Sequence, residues 1–153
     1  MSSNTPVIKN RKAYFNYKIL EKLEVGIVLT GTEVKSIRQS KINIAESYVN
    51  IDDNLELFIQ NCHIDEYTEG NRFNHNPKRK RKLLAHRTEI LKMQKATSLK
   101  GYTLIPLKVY FNKGKVKFEI GICKGKEGID KRNSIKEKEQ KRSMQRALKV
   151  RNY

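Results

Sequence analysis

The sequence predicts a mainly β fold: a small antiparallel barrel with two or three short α-helices and a basic C-terminal tail. Three observations lead there. Apolar residues alternate with polar ones in short runs, turn residues separate those runs, and a length of 153 residues suits one domain. With 33 Lys+Arg against 16 Asp+Glu the formal charge is +17. Such a surplus points away from an ordinary neutral metabolic enzyme and toward a polyanionic partner.

Taken in chain order, residues 1–9 read as a flexible N-terminus, 10–123 as the barrel and 124–153 as the tail. The stretch Met1 to Asn10 lacks the apolar core of a secretory signal. No segment approaches the ~18 consecutive apolar residues of a membrane span. A cytoplasmic protein without membrane contact is therefore expected. Tyr17 to Leu29 reads as one long strand or two, bent at Gly26, where a missing Cβ would permit a bulge. Thr30 and Glu33 have the spacing of a capping box, so a short helix should run to about Gln39 with Val34 and Ile37 buried. Tyr48 to Ile51 and Leu55 to Gln60 form a hairpin around Asp52-Asp53-Asn54, with Leu55, Leu57 and Ile59 on one face. A second helix, Arg87 to Ser98, should bury Ile90, Leu91 and either Met93 or Gln94, and end at Gly101. A second hairpin joins Tyr102–Phe111 to Val116–Ile122 through Asn112–Lys115. Short antiparallel strands with interspersed helices make a barrel of the oligonucleotide-binding (OB) type the best fit.

The charge divides unevenly. Residues 124–153 carry net +7 and residues 1–123 net +10. The tail's apolar residues, Ile129, Ile135, Met144, Leu148, Val150 and Tyr153, are too few for a core, so it should be disordered in isolation. Its Lys, Glu, Gln and Arg content favours helix on contact, with Glu137 and Lys141 at i,i+4 and Lys138, Arg142, Arg146 and Lys149 along one side. Either a phosphate-binding stripe or a solvated solubility tail fits that composition. The run Lys78-Arg-Lys-Arg-Lys82 fits either phosphate contacts or a solvated, nuclear-import-like charge patch, and its position before the apolar Leu83-Leu84 pair favours a polyanion that neutralises it.

Catalytic chemistry finds little footing. Asp52 and Asp53 are adjacent carboxylates, but a hairpin turn favours Asp on its own account. His63, His75 and His86 match no zinc spacing, and Cys62 and Cys123 sit in apolar stretches as buried reduced thiols. No glycine-rich loop precedes a helix in the manner of a phosphate cradle. No catalytic residue, metal or cofactor is expected.

The stretches Gly26-Ile-Val-Leu-Thr-Gly-Thr-Glu-Val-Lys-Ser-Ile-Arg38, Ser47-Tyr-Val49, Arg81-Lys-Leu-Leu84, Gly121-Ile-Cys-Lys-Gly-Lys126 and Asp130-Lys-Arg132 carry a resemblance. In order and spacing the chain resembles the SsrA-binding protein (small protein B) family over about residues 8–135. The resemblance implies a non-enzymatic RNA-binding barrel that holds the tRNA-like domain of transfer-messenger RNA and delivers it to stalled ribosomes for trans-translation. The tail would then probe the vacant mRNA channel. It further implies the ribosome as partner, elongation factor Tu with GTP and alanyl-tRNA synthetase as proteins acting on the same RNA, and a monomer bound to RNA.

Matched by position, the resemblance places Asn10, Arg11, Glu24, Lys35, Arg81, Lys82, Leu84 and Lys117 at the tRNA-like domain. Lys124, Lys126, Asp130, Lys131, Arg132, Lys138 and Arg142 fall to ribosomal RNA. Three positions depart from the family pattern: Tyr14-Phe15 replace a usual Arg-His pair, Lys18 replaces an aromatic, and Ile129 replaces an aromatic or His before Asp130. The rival readings are a small basic ribosomal or general RNA-binding structural protein, and a nuclease acting through Asp52 and Asp53.

Overall fold

The computed structural model describes residues 5–69, 74–126, 139–140 and 142–144. Alternation in the sequence becomes a curled sheet of β1 (Ile8–Lys9), β2 (Tyr17–Ile27), β4 (Tyr48–Ile51), β5 (Leu57–Gln60), β7 (Arg81–Leu84), β8 (Tyr102–Asn112) and β9 (Lys115–Gly125). The strands run in the order β1-β8-β4-β5-β7-β2-β9, and β8 also pairs with β9, so the antiparallel sheet returns on itself. Closure is narrowest between β4 and β8, where Val49 registers with Leu104. A separate two-stranded ribbon joins β3 (Ile42–Asn43) to β6 (His63–Ile64). Helices α1 (Arg11–Asn16), α2 (Gly31–Arg38) and α3 (Arg87–Thr97) complete the described elements. The mainly β, barrel-like architecture expected from the sequence is the one observed. None of the helices described is long and apolar enough to cross a membrane.

Successive strand residues face opposite sides, which sorts the core. Val25, Leu57, Ile59, Leu83, Leu104, Val109, Phe118 and Ile120 point inward and are buried together. Ala13, Ile105, Leu107 and Cys123 form a second cluster, where α1 and the middle of β8 and β9 meet. A glycine makes that cluster possible: a Cβ on Gly121 would lie 2.6 Å from Leu107 Cδ1.

The helices obey their caps. Thr30 Oγ1 accepts from the Glu33 N–H at 3.4 Å and Glu33 Oε1 accepts from the Thr30 N–H at 2.8 Å, the reciprocal pair that the spacing of Thr30 and Glu33 predicts. Asp52 accepts from the backbone N–H groups of Asn54 and Glu56, at 3.0 and 2.8 Å, so it is built into the first hairpin's turn.

Four details differ from expectation. Ile8 and Lys9, expected to lie in a flexible N-terminus, pair instead with Val109 and Lys108. The long strand β2 does not bend at Gly26; its irregularity falls between Ile19 and Glu21, leaving Leu20 49 % exposed. Gly26 instead remains in register with strands on both sides. On α3 the buried stripe is Ile90 and Met93, three apart, while Leu91 is 42 % exposed on the next face round. Finally, β9 continues to Gly125, beyond the expected barrel limit at residue 123.

Candidate nucleic-acid interface

The outer face of β7, β2, β9 and β8 presents one continuous row. Leu84 registers with Gly26, Gly26 with Lys117, and Lys117 with Tyr110. The residues between them along each strand, Leu83, Val25, Phe118 and Val109, are buried, so all members of the row point outward. Leu84 is 52 % exposed, which makes it a surface leucine available to a base or sugar. Gly26 leaves a low point beside it, where the outward surface is bare backbone and a Cβ would fill the space up to Leu84 Cβ, 3.4 Å away. A planar ligand can approach closely there.

The adjacent row joins Glu24 to Glu119 and Glu119 to Lys108. Its two carboxylates are both engaged. Glu24 accepts a hydrogen bond from the Tyr110 hydroxyl, and Glu119 lies 3.7 Å from Lys22 Nζ and 3.8 Å from Lys108 Nζ. Burial, the hydrogen bond to Glu24 and the charges of Glu24 and Glu119 push the Tyr110 hydroxyl well above its usual pKa, so it stays a donor. Glu24 keeps further acceptor sites for ribose or base donors. Tyr110 is a residue that sequence reading missed; its signal was an aromatic at the outward phase of β8, opposite Lys117.

Lys82 lies two residues before Leu84 on the same face, 3.6 Å from Glu56. Lys117 has no ion-pair partner among the described residues. Glu24, Lys82, Leu84 and Lys117 therefore form one platform. Lys124 and Lys126 lie elsewhere, at the end of the barrel where β2 begins and β9 ends, with Tyr17 in register with Gly125 and Lys18 with Lys124, while Arg11 opens α1 next to Asn10, whose N–H donates to the Leu107 carbonyl in β8. Lys126 is tied there, its N–H donating to the Asn16 carbonyl at 3.0 Å and its Nζ to the Tyr14 carbonyl at 3.3 Å. At ~3.3 Å per residue, Lys124 and Lys117 are separated by about 23 Å along β9. Lys35 stands apart from both groups, exposed on α2 with its Nζ 5.4 Å from the Tyr67 ring centre.

Two predicted contacts are interior and cannot reach a ligand. Arg81 is fully buried, its Nε on Glu33 and its Nη1 on the Cys62 carbonyl at 2.8 Å. Nη2 of the same side chain donates to the Pro77 carbonyl at 3.1 Å. The alternation of β7 turns Arg81 inward while Lys82 and Leu84 face out. Asn10 is 2 % exposed. Its Nδ2 donates to the carbonyls of Ile44 at 3.1 Å and Pro106 at 2.9 Å, and its Oδ1 caps α1 at the Ala13 N–H. Asn10 thus shapes the surface from beneath. Replacing it with Ala removes a cap and strands two buried carbonyls, an expected loss of about 2–4 kcal/mol in chemical denaturation. RNA affinity per folded molecule should be unchanged; a variant that melts normally but binds weakly would place Asn10 at the ligand instead.

Of the tail residues, Arg142 is helical and exposed. Asp130, Lys131, Arg132 and Lys138 lie outside the described residues, as does most of the segment expected to fold on contact. No group of three or more His, Cys, Asp or Glu among the described residues could hold a metal ion. Burial pushes both the Cys62 and Cys123 thiols up to about 11, which leaves neither a nucleophile at neutral pH. His75 is buried as well, its ring nitrogens engaged with Thr32 Oγ1 at 2.8 Å and the Ile64 carbonyl at 2.9 Å. What the surface offers is a charged, partly apolar platform for recognition.

The sequence model described as SmpB protein matches residues 7–150. An SsrA-binding protein of Treponema denticola is 48 % identical over 145 residues, covering 95 % of this chain and 94 % of the relative. Its counterpart in Rickettsia bellii is 54 % identical over 143 residues, covering 93 % and 94 %. Among solved structures, a chain described as "tmRNA-SmpB: a journey to the center of the bacterial ribosome" superposes with a TM-score of 0.69 at 43 % identity, covering 81 % of this chain and 87 % of that one.

Proposed function

The chain belongs to the SmpB protein family, and we propose that it binds SsrA RNA, the transfer-messenger RNA, and carries it to stalled ribosomes for trans-translation. It acts as an RNA-binding protein and not as an enzyme. The observation that carries this reading is the outward row Leu84, Gly26, Lys117 and Tyr110, flanked by Glu24 and Lys82, on a chain matched nearly end to end by SsrA-binding proteins. Folded RNA suits such a surface. Lys117 and Lys82 meet phosphates, Leu84 and the bare backbone of Gly26 meet a base or sugar, and Glu24 accepts from donors that only bases and riboses supply.

The second surface belongs to the ribosome. Lys124 and Lys126 mark where the chain leaves the barrel, and the basic tail beyond carries Lys131, Arg132, Lys138 and Arg142 toward ribosomal RNA in the mRNA channel. Elongation factor Tu with GTP and alanyl-tRNA synthetase act on the same RNA, and the setting is the cytoplasm.

A gel-shift comparison at physiological salt tests the reading. The protein should prefer SsrA RNA over bulk tRNA, and Glu24→Ala should weaken SsrA binding about tenfold, the loss expected for one charge-assisted hydrogen bond. Its melting temperature should not fall. Equal affinity for the two RNAs would reduce the protein to a general polyanion binder.

A further inference from the structure

The run Lys78-Arg-Lys-Arg-Lys82 is sorted by a single carboxylate. Arg79 and Arg81 turn toward Glu33, Arg79 Nη2 donating to Glu33 Oε1 at 2.6 Å. Lys78, Lys80 and Lys82 are left exposed. Two of them, Lys80 and Lys82, stand beside an aromatic that the platform does not use. On β5, Leu57 and Ile59 are fully buried, so Phe58 between them faces outward. It registers with Asn50 on one side and Lys82 on the other, both exposed. Lys80 Nζ lies 4.3 Å from the centre of its ring.

We propose that this outer face of β4, β5 and β7, centred on Phe58 and edged by Lys80 and Lys82, takes an unpaired base of the same SsrA RNA as an extension of the Leu84 and Lys117 platform. The proposal rests on the function argued above. A ring facing outward from the middle of a sheet adds little to the core, and Phe58, half-buried beside Lys80, keeps part of its ring at the surface. Every base has a π-face, so stacking on such a ring is tolerant of sequence, and cations beside the ring meet the flanking phosphates. Lys80, already held at the ring by its π electrons, is the nearest of these cations. Glu56, paired with Lys82 at 3.6 Å, is the acid that faces them. The surface is continuous with the platform, because Lys82 and Leu84 share one face of β7 about 7 Å apart. A peptide strand has no place here, since β5 is hydrogen-bonded to β4 and β7 on its two sides.

The test uses the full chain with SsrA RNA and bulk tRNA, titrated at several salt concentrations with melting curves alongside. Phe58→Leu keeps an apolar side chain and removes the ring; it should weaken SsrA affinity per folded molecule by roughly 5–150-fold, the worth of one base stack. Phe58→Tyr should bind like the parent chain. Lys80→Gln should reduce the slope of log affinity against log salt by ~0.7–0.9, one phosphate contact. A parent chain that prefers SsrA RNA, with Phe58→Leu binding equally well, overturns the patch and leaves the function standing. Phe58→Tyr as weak as Phe58→Leu also overturns it. A parent chain with no preference for SsrA RNA overturns both.

Discussion

Glu33→Gln should lower stability by about 3–5 kcal/mol, a fall in melting temperature of roughly 10–25 °C for a body of this size. The side chains of Glu33 and Arg81 are both fully buried. The substitution is isosteric, and the Gln amide oxygen can accept from the Thr30 N–H in place of Glu33 Oε1, so the cap of α2 is largely retained. What it removes is the only negative charge in contact with Arg81 among the described residues, leaving a guanidinium in the interior without its counter-charge. Arg79 loses the same partner. Arg81→Met, by contrast, takes away the buried cation and leaves Glu33 the half-exposed Arg79, so it should cost less.

The pH dependence follows from Glu33's own titration. Burial pushes its pKa up, but hydrogen bonds from Arg79, the Thr30 N–H and Arg81, with the Arg81 charge, outweigh that and hold the carboxyl below its usual 4.5. A depressed carboxylate contributes stability above its unfolded value and loses it as pH falls through the folded one. The gap between parent and Glu33→Gln should therefore be constant near neutrality and narrow below pH 4.5. A gap that persists unchanged into strong acid would mean that the charge of Glu33 does not hold Arg81.

Ending the chain at Gly128 should leave SsrA RNA affinity within about twofold while peptide tagging on stalled ribosomes falls to background. The reason is separation. The platform cations and the root of the tail at Lys124 are about 23 Å apart along β9, and charges so far apart are screened from one another where the Debye length is ~8 Å. The tail therefore adds little to the platform's grip on its RNA, yet it holds most of the cations available to ribosomal RNA. Equilibrium binding to SsrA RNA, paired with a tagging assay on ribosomes stalled at the end of a truncated message, separates the two surfaces. Loss of RNA binding in the shortened chain would merge them.

Much of the fold was legible because its signals are local. Val116, Phe118, Ile120 and Ile122 alternate and are all buried; Thr30 and Glu33 form the cap that their spacing implies. The misreadings share a different origin. Leu91 and Met93 are equally apolar, and only the direction from which β8 meets α3 makes Met93 the buried one. Gly26 looked like a bend, yet its neighbours Leu84 and Lys117 hold it straight, and the irregularity moved to Leu20.

The candidate site divides the same way. Matched position in the family assigned Glu24, Leu84 and Lys117 to one surface, and the strand registers place them on one outer face. Arg81 could not be told from Lys80 or Lys82 in a run of like charges. Its role depends on Glu33, 48 positions away in sequence, and on a strand phase that turns alternate side chains inward. Asn10 reaches carbonyls 34 and 96 positions away.

By itself, then, the sequence determined a mainly β RNA-binding chain, its hairpins, its caps and the family to which it belongs, because periodicity, turn chemistry and motif are written in neighbouring residues. Tertiary structure alone decided which cations stand at the surface and which brace the barrel. That choice is made by burial, and burial is set by residues distant in sequence that close around a charge and supply the one partner that makes its desolvation bearable.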